Sequence, residues 1–242
     1  MRLDQYLYEN GHCRSRSLGA KLIRAGFVYV DGRECQKPST PVTSDSHVEI
    51  FDNSLARYVS RGGQKLEAAL KEFGVDVRSA VCIDIGASTG GFTDCLLQHG
   101  AKTVYAVDSG TEQLHESLRS NECVVSMENT NARLLDESKV PVSPVVVMDV
   151  SFISQSLLYP AVSKILARDG VFISLIKPQF EVGRENVGSG GIVRNEKKRL
   201  ECIEKLRADA AKHGLVMEKH IPSPILGGDG NTEFLALFRK EK

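Results

Sequence analysis

None of the six cysteines stands in a C-x-x-C pair and no H-E-x-x-H segment occurs, so the usual spacings of structural and catalytic zinc are missing and no metal ligand is assigned. Lysine plus arginine balance aspartate plus glutamate at 31 each. That balance removes any global pull towards nucleic acid or membrane and leaves the task to local patches. No apolar run approaches the roughly 18 residues of a membrane span. Met1-Arg2-Leu3-Asp4-Gln5 is polar where a signal peptide carries its apolar stretch. Neither secretion nor insertion is expected, and a cytoplasmic protein with reduced thiols is. Internal repeats and low-complexity tracts are also missing. What remains is 242 residues at 41% hydrophobic content, enough for one domain or for a small one beside a larger one.

The first stretch has the pattern of a small α+β unit. An amphipathic helix is predicted from Arg2, and a second starts at Ser15, a good N-cap. Phe27-Val28-Tyr29-Val30 then runs into Asp31-Gly32, a strong hairpin turn. Arg14, Arg16, Lys21 and Arg24 are spaced to share a polar face on the second helix. A basic face beside a hairpin suits an RNA backbone, although solvated charged faces are common on any amphipathic helix. The strings Arg2-Leu3-Asp4, Arg14-Ser15-Arg16-Ser17, Leu22-Ile23-Arg24-Ala25-Gly26 and Val28-Tyr29-Val30-Asp31-Gly32 resemble the RNA-binding domain shared with ribosomal protein S4. The resemblance implies RNA contacts, mainly to phosphate, for Arg14, Arg16, Lys21 and Arg24, with Arg2 beside them and braced with Asp4. The expected boundaries are 1–54 for this domain and 55–63 for a linker, whose Arg57 and Arg61 join the RNA-facing set.

From residue 64 to 242 the pattern alternates between buried strands and helices, which predicts a doubly wound α/β sheet. Strand Val81–Ile85 leads to Gly86-Ala87-Ser88-Thr89-Gly90-Gly91-Phe92 and a helix; Thr103–Val107 ends in Asp108. Further strands are expected at 123–126, 145–148 and 171–176, with a helix over 155–166 and another over 196–213. Strands near Val216 and Phe234 have no helix between them, so the last is antiparallel. An acidic residue roughly 20 positions after the glycine turn suits ribose hydroxyls. The G-x-x-x-G-G turn preceded by Asp84 differs from the G-x-G-x-x-G that closes on a pyrophosphate. A nucleoside joined to an amino acid, S-adenosylmethionine, fits better. Asp84 and the turn from Gly86 through Phe92 would hold its methionine portion and Asp108 its ribose.

Asp149 follows the apolar run Val145-Val146-Val147-Met148, and Lys177 follows Val171-Phe172-Ile173-Ser174-Leu175-Ile176. Ligands in such sheets lie beyond the carboxyl ends of the strands, so both side chains would face one crevice. An unpaired charge there is costly, which requires mutual pairing or function. A lysine beside a carboxylate in such a crevice suits the placing of a weak hydroxyl nucleophile and the removal of its proton. The stretch Glu181 to Arg194, with four glycines and no period, reads as a mobile loop beside Lys177.

Ser60-Arg61-Gly62-Gly63-Gln64-Lys65, Asp84-Ile85-Gly86-Ala87-Ser88-Thr89-Gly90-Gly91-Phe92, Asp149-Val150-Ser151-Phe152, Lys177-Pro178-Gln179-Phe180-Glu181 and Gly230-Asn231-Thr232-Glu233-Phe234 resemble the TlyA family. That resemblance implies an S4-like domain followed by an FtsJ-like, Rossmann-like class I methyltransferase domain with a seven-stranded, mostly parallel sheet. It implies 2′-O-methylation of a cytidine in ribosomal RNA from S-adenosylmethionine, ribosomal subunits as partners, Lys65, Asp149, Lys177 and Glu233 as catalytic residues, and Asn131 and Asp149 as additional cofactor contacts. The chain departs from the family pattern at Thr111, Glu112, Asn129 and Ser189. Three other readings stay open: an RNA-binding assembly factor with an inactive methyltransferase fold; a small-molecule or protein methyltransferase, which would leave the first domain unexplained; and a membrane-active haemolysin, which the sequence does not favour.

Overall fold

The computed structural model describes residues 1–24, 27–43, 46–50, 57–227 and 230–241. Two compact units emerge, Met1–Arg61 and Gly62–Lys242. In the first, helix α1 (Leu3–Glu9) buries Leu3, Asp4 and Leu7, and α2 (Arg16–Arg24) buries Gly19, Leu22 and Ile23. Ser15 Oγ accepts the Leu18 N–H at 3.2 Å and caps α2. Strands β1 (Val28–Val30), β2 (Arg33–Glu34) and β3 (Val48–Ile50) form a sheet in the order β2-β1-β3. Asp31 and Gly32 both take positive φ, 51° and 76°, which matches the twist of a tight hairpin. The apolar faces of α1, α2 and β1 close on Cys13 and Val42. Positions 51–56, where the sequence places the end of the first domain, lie outside the described residues.

Asp4 ties this unit together. Its carboxylate, nearly buried, accepts hydrogen bonds from Arg2 at 2.9 and 3.0 Å and from Arg16 at 3.3 Å. Arg14, Lys21 and Arg24 stay exposed, and Arg14 donates to the Arg57 carbonyl at 3.2 Å. The Arg57 guanidinium stands 5.4 Å from the Tyr58 ring.

The second unit begins with α3 (Gly62–Phe73), which opens inside the stretch 55–63 that reads as a linker. Then follow β4 (Val81–Ile85), α4 (Gly91–Gln98), β5 (Thr103–Val107), α5 (Glu116–Arg119), β6 (Val124–Met127) and β7 (Ser143–Met148). The chain continues with α6 (Tyr159–Ile165), β8 (Leu166–Ile176), α7 (Glu196–Ala211), β9 (Leu215–Pro222) and β10 (Phe234–Lys240). The sheet runs β6-β5-β4-β7-β8-β10-β9. Its first five strands are parallel, and β10 pairs antiparallel with both β8 and β9. The helix expected over 155–166 divides instead into a 3-10 turn, Gln155–Leu157, and α6. Pro160 lacks an N–H and fits only a first helical turn, so α6 starts there. On one side of the sheet, Tyr159, Phe172 and Phe238 pack ring on ring, with Ile203 and Leu206 of α7 in the same core.

Hydrogen bonding by Arg2, followed by Arg16, holds the Asp4 carboxyl down at about 2 against the opposing effect of its burial. A lowered carboxyl contributes stability above its ordinary value of 3.8 and loses it as pH falls towards about 2. Asp4→Asn is expected to cost about 1 kcal/mol, allowing for solvent screening of the half-exposed guanidiniums, and to flatten acid unfolding in that window. Circular-dichroism melts of both proteins across the window check this, and parallel curves would contradict it.

Candidate active site

The connection out of β4 runs outward to β5 and β6 and returns to β7, so strand order reverses between β4 and β7. A cleft of about 620 Å³ opens there, walled by the ends of β4, β5 and β7 and by residues 129–133 after β6. Gly86 at its floor has φ 82°, and a Cβ there would collide with the Asp149 carbonyl. Only glycine lets these two strand ends approach so closely. Asp108 on the β5 side accepts the backbone N–H of Ser88 and of Gly110, each at 2.7 Å. Glu128 accepts three backbone N–H groups, from Glu112, Gln113 and Leu114, and these bonds hold its carboxyl below the usual range. The departing turn after Asp108 is therefore pinned from β6, and it brings Gln113 to the cleft.

Two lysine–carboxylate pairs stand at the same end of the sheet. Lys65 of α3 donates to Glu233 at 2.5 Å, both side chains being almost fully buried. Lys177 Nζ lies 2.5 Å from Asp149 Oδ1, in charge contact but away from hydrogen-bond geometry, and donates to Ser151 Oγ at 2.8 Å. Phe234 pairs with Ile176 at the last rung between β10 and β8. Glu233 and Lys177 therefore each stand one residue past that rung. Asp149 itself lines the cleft, whereas Lys65, Lys177 and Glu233 are not part of its wall, so the Asp149–Lys177 contact is the link between the charged groups and the cavity.

The S4 domain family matches residues 1–48, and the FtsJ-like methyltransferase family matches residues 58–240. The 16S/23S rRNA (cytidine-2′-O)-methyltransferase TlyA of Mycobacterium tuberculosis is 40% identical over 99% of this chain and 90% of its own. The chain belongs to the TlyA family of FtsJ-like methyltransferases. Hemolysin A of Brachyspira hyodysenteriae is also similar, 42% identical over 98% of this chain and 99% of its own. Among solved structures, a Streptococcus thermophilus protein with a provisional hemolysin name superposes with a TM-score of 0.78 at 41% identity. That match covers 100% of this chain and 89% of the other.

For this TlyA-family chain the structure divides the sequence-derived cofactor set. Gly86, Ser88, Asp108, Asn131 and Asp149 line the cleft. Ala87, Thr89, Gly90, Gly91 and Phe92 do not, because α4 begins at Gly91 and turns most of them into the packing: Gly90 sits against Leu114 and Leu118, and Phe92 is buried. Asp84 is also off the wall. It is fully buried, its Oδ2 accepts from Thr93 Oγ1 at 2.7 Å, and its Oδ1 has no partner among the described residues. The cleft also takes Gln113, Asn129, Arg133, Ser151 and Phe152, which spacing does not single out. Asn129 and Ser88 are non-glycine residues at positive φ, 51° and 48°, as is usual for asparagine but a source of strain for serine. The loop 181–194 is tethered at its far end: Asn231, buried, accepts the Val193 N–H and donates to the Gly191 carbonyl, both at 2.9 Å.

Burial, reinforced by the charge of Asp149, pushes the Asp84 carboxyl up to about 7 from 3.8. A raised acid contributes stability that is full below its ordinary value and lost as pH rises through about 7. Asp84→Asn, neutral and of the same shape, is expected to flatten the melting temperature across that interval. A mutant curve that keeps the parent's slope would exclude the assignment.

Proposed function

We propose that this chain transfers the methyl group of S-adenosylmethionine to the 2′-oxygen of a cytidine ribose in ribosomal RNA. Large-subunit (23S) RNA is its principal substrate, with small-subunit (16S) RNA as a second target, in the cytoplasm. The carrying observation is the pair of lysine–carboxylate contacts at the strand ends beside the cleft. The cleft fits the cofactor by its donor set: Asp108 for ribose hydroxyls, the close backbone at Gly86 for the methionine portion, and Asn129 and Asn131 for the remaining polar edges. When bound, it supplies an electrophilic methyl on sulfur.

A ribose hydroxyl is a weak nucleophile near neutral pH, so the residues must place it and stabilise the charge that develops on its oxygen. Lys177 carries three N–H donors. One is bonded to Ser151 and one faces Asp149, which leaves the third for the 2′-oxygen. Asp149, whose side chain lines the cleft beside Lys177, is the carboxylate assigned to take the proton. The transferred methyl would leave the sulfur of the bound cofactor as its bond to the 2′-oxygen forms, the sulfur departing as a neutral thioether, and Asp149 would hold the proton that the oxygen gives up. Lys65, fixed by Glu233, supplies a second cation to hold the substrate.

Phe152 is 92% exposed at the lip of the cleft, has φ 65°, and stands 5.1 Å from the Phe180 ring. A bulky residue held open to solvent in the left-handed region offers a face on which an unstacked base can rest. On the S4-like unit, Arg14, Arg16, Lys21 and Arg24 are exposed and suit phosphate contacts that set register. No helix among the described residues is long and apolar enough to cross a membrane.

The test is transfer of labelled methyl to ribosomal subunits that lack the modification, followed by mapping of the labelled nucleotide. Lys177→Ala is expected to lower the rate by about 10²–10⁴-fold, with label in the wild type confined to one cytidine 2′-oxygen. Label on a base, or on neither subunit, would refute the assignment. Replacing Lys21 and Arg24 together by alanine should raise KM for subunits and lower the salt slope by about 2. An unchanged slope would remove the two residues from the RNA interface.

A further inference from the structure

Glu181 is 8% exposed at the end of the 3-10 turn Pro178–Phe180, where nothing in the mechanism above uses it. Its Oε2 accepts the Ser154 hydroxyl at 2.6 Å and its Oε1 the Gln155 N–H at 2.9 Å. Gln155 is itself buried, and its side-chain oxygen accepts from Ser174 of β8 at 2.6 Å and from Tyr159 at 3.3 Å. The clamp is therefore anchored in the sheet interior. Three links join residues 149–155 to residues 177–181. At the cleft, Lys177 meets Asp149 and Ser151. Midway, Phe152 meets Phe180. At the base, Glu181 meets Ser154 and Gln155.

We propose that Glu181 is a positioning residue for the reaction: its carboxylate locks the loop after β7 to the turn after β8, and so sets Asp149, Ser151 and Phe152 against Lys177. This rests on the methyltransferase reading above. A buried carboxylate is costly to desolvate and is a poor choice where packing alone is needed. What it provides is two directed bonds, one of them to a backbone N–H that would otherwise be left buried without an acceptor. The strain at Phe152 points the same way. A left-handed phenylalanine persists only where its surroundings over-determine it, and the bonds to Glu181 fall two and three residues further along the chain. The distances also favour a preset geometry, since a shift of about 1 Å in a reacting group costs on the order of 10²-fold in rate.

The chain has no tryptophan but six tyrosines, so Phe152→Trp introduces a single indole at the lip that can be excited apart from them. In that background, Glu181→Ala is expected to lower the steady-state anisotropy of the indole. In the otherwise native protein it should cut kcat about 10–100-fold at saturating cofactor and subunits, with KM for subunits little changed. Glu181→Gln can still accept from Gln155 and donate to Ser154, and should restore most of both readouts. If Glu181→Ala does not fold, Ser154→Ala removes one bond only and should give a smaller loss of both. Anisotropy and kcat both at parental values, or a fall in melting temperature or anisotropy with kcat intact, would reduce Glu181 to a fold brace and overturn the proposal. Should the parent transfer no methyl to either subunit, the methyltransferase reading fails by itself. The anisotropy comparison then decides the clamp.

Discussion

The contact between Lys177 and Asp149 is what the surrounding structure exists to hold. Each residue follows a strand whose side chains are almost wholly buried, and each charge, itself part-buried, has the other as its ion partner. Parallel pairing of β7 with β8 sets the distance between the strand ends. The loops that leave those ends are then cross-linked at their bases, through Glu181 and Gln155, so that little freedom reaches the charged pair. Breaking the pair by removing one partner is costlier than its own attraction suggests, because it leaves an uncompensated charge.

The second pair works by deeper burial. Lys65 and Glu233 come from α3 and from the turn before β10, 168 residues apart in sequence. Gly227 gives the Glu233 carboxylate its room: a Cβ at that position would lie 2.5 Å from Oε1. Asn231 fastens the same turn to the loop after Lys177. The antiparallel closing hairpin is thus part of the site as well as the edge of the sheet, since it delivers Glu233 to the rung beside Lys177.

On the other side of the cleft the device is backbone capture by carboxylates. Asp108 and Glu128 between them accept five backbone N–H groups from the turns around the cavity. The Ser109-Gly110-Thr111-Glu112 turn is held at Gly110 by Asp108 and at Glu112 by Glu128, which brings Ser109 and Gln113 to the cleft. Asp84 stands apart. Buried, raised and bonded to Thr93, it braces the strand-to-helix turn from beneath while the surface of the cleft is left to its neighbours.

Local chemistry decided a good part of this protein in advance. The Asp31-Gly32 hairpin, the Ser15 cap and the alternation of apolar runs follow from rules that act within a few residues, and they imply a doubly wound sheet with Asp149 and Lys177 at its strand ends. Matching motifs along the chain implied the family, and with it Lys65 and Glu233. Spacing could not say which turn residues face the cleft and which pack beneath α4, because one helical start rotates successive side chains to opposite sides. Nor could it find Glu181, Gln155, Asn231 or Gln113, whose roles depend on hydrogen bonds to segments distant in sequence. Directed bonds between remote segments exist only once the sheet has set its register. For that reason the strand ends were legible in the sequence, while the clamps that aim them were decided by the tertiary structure alone.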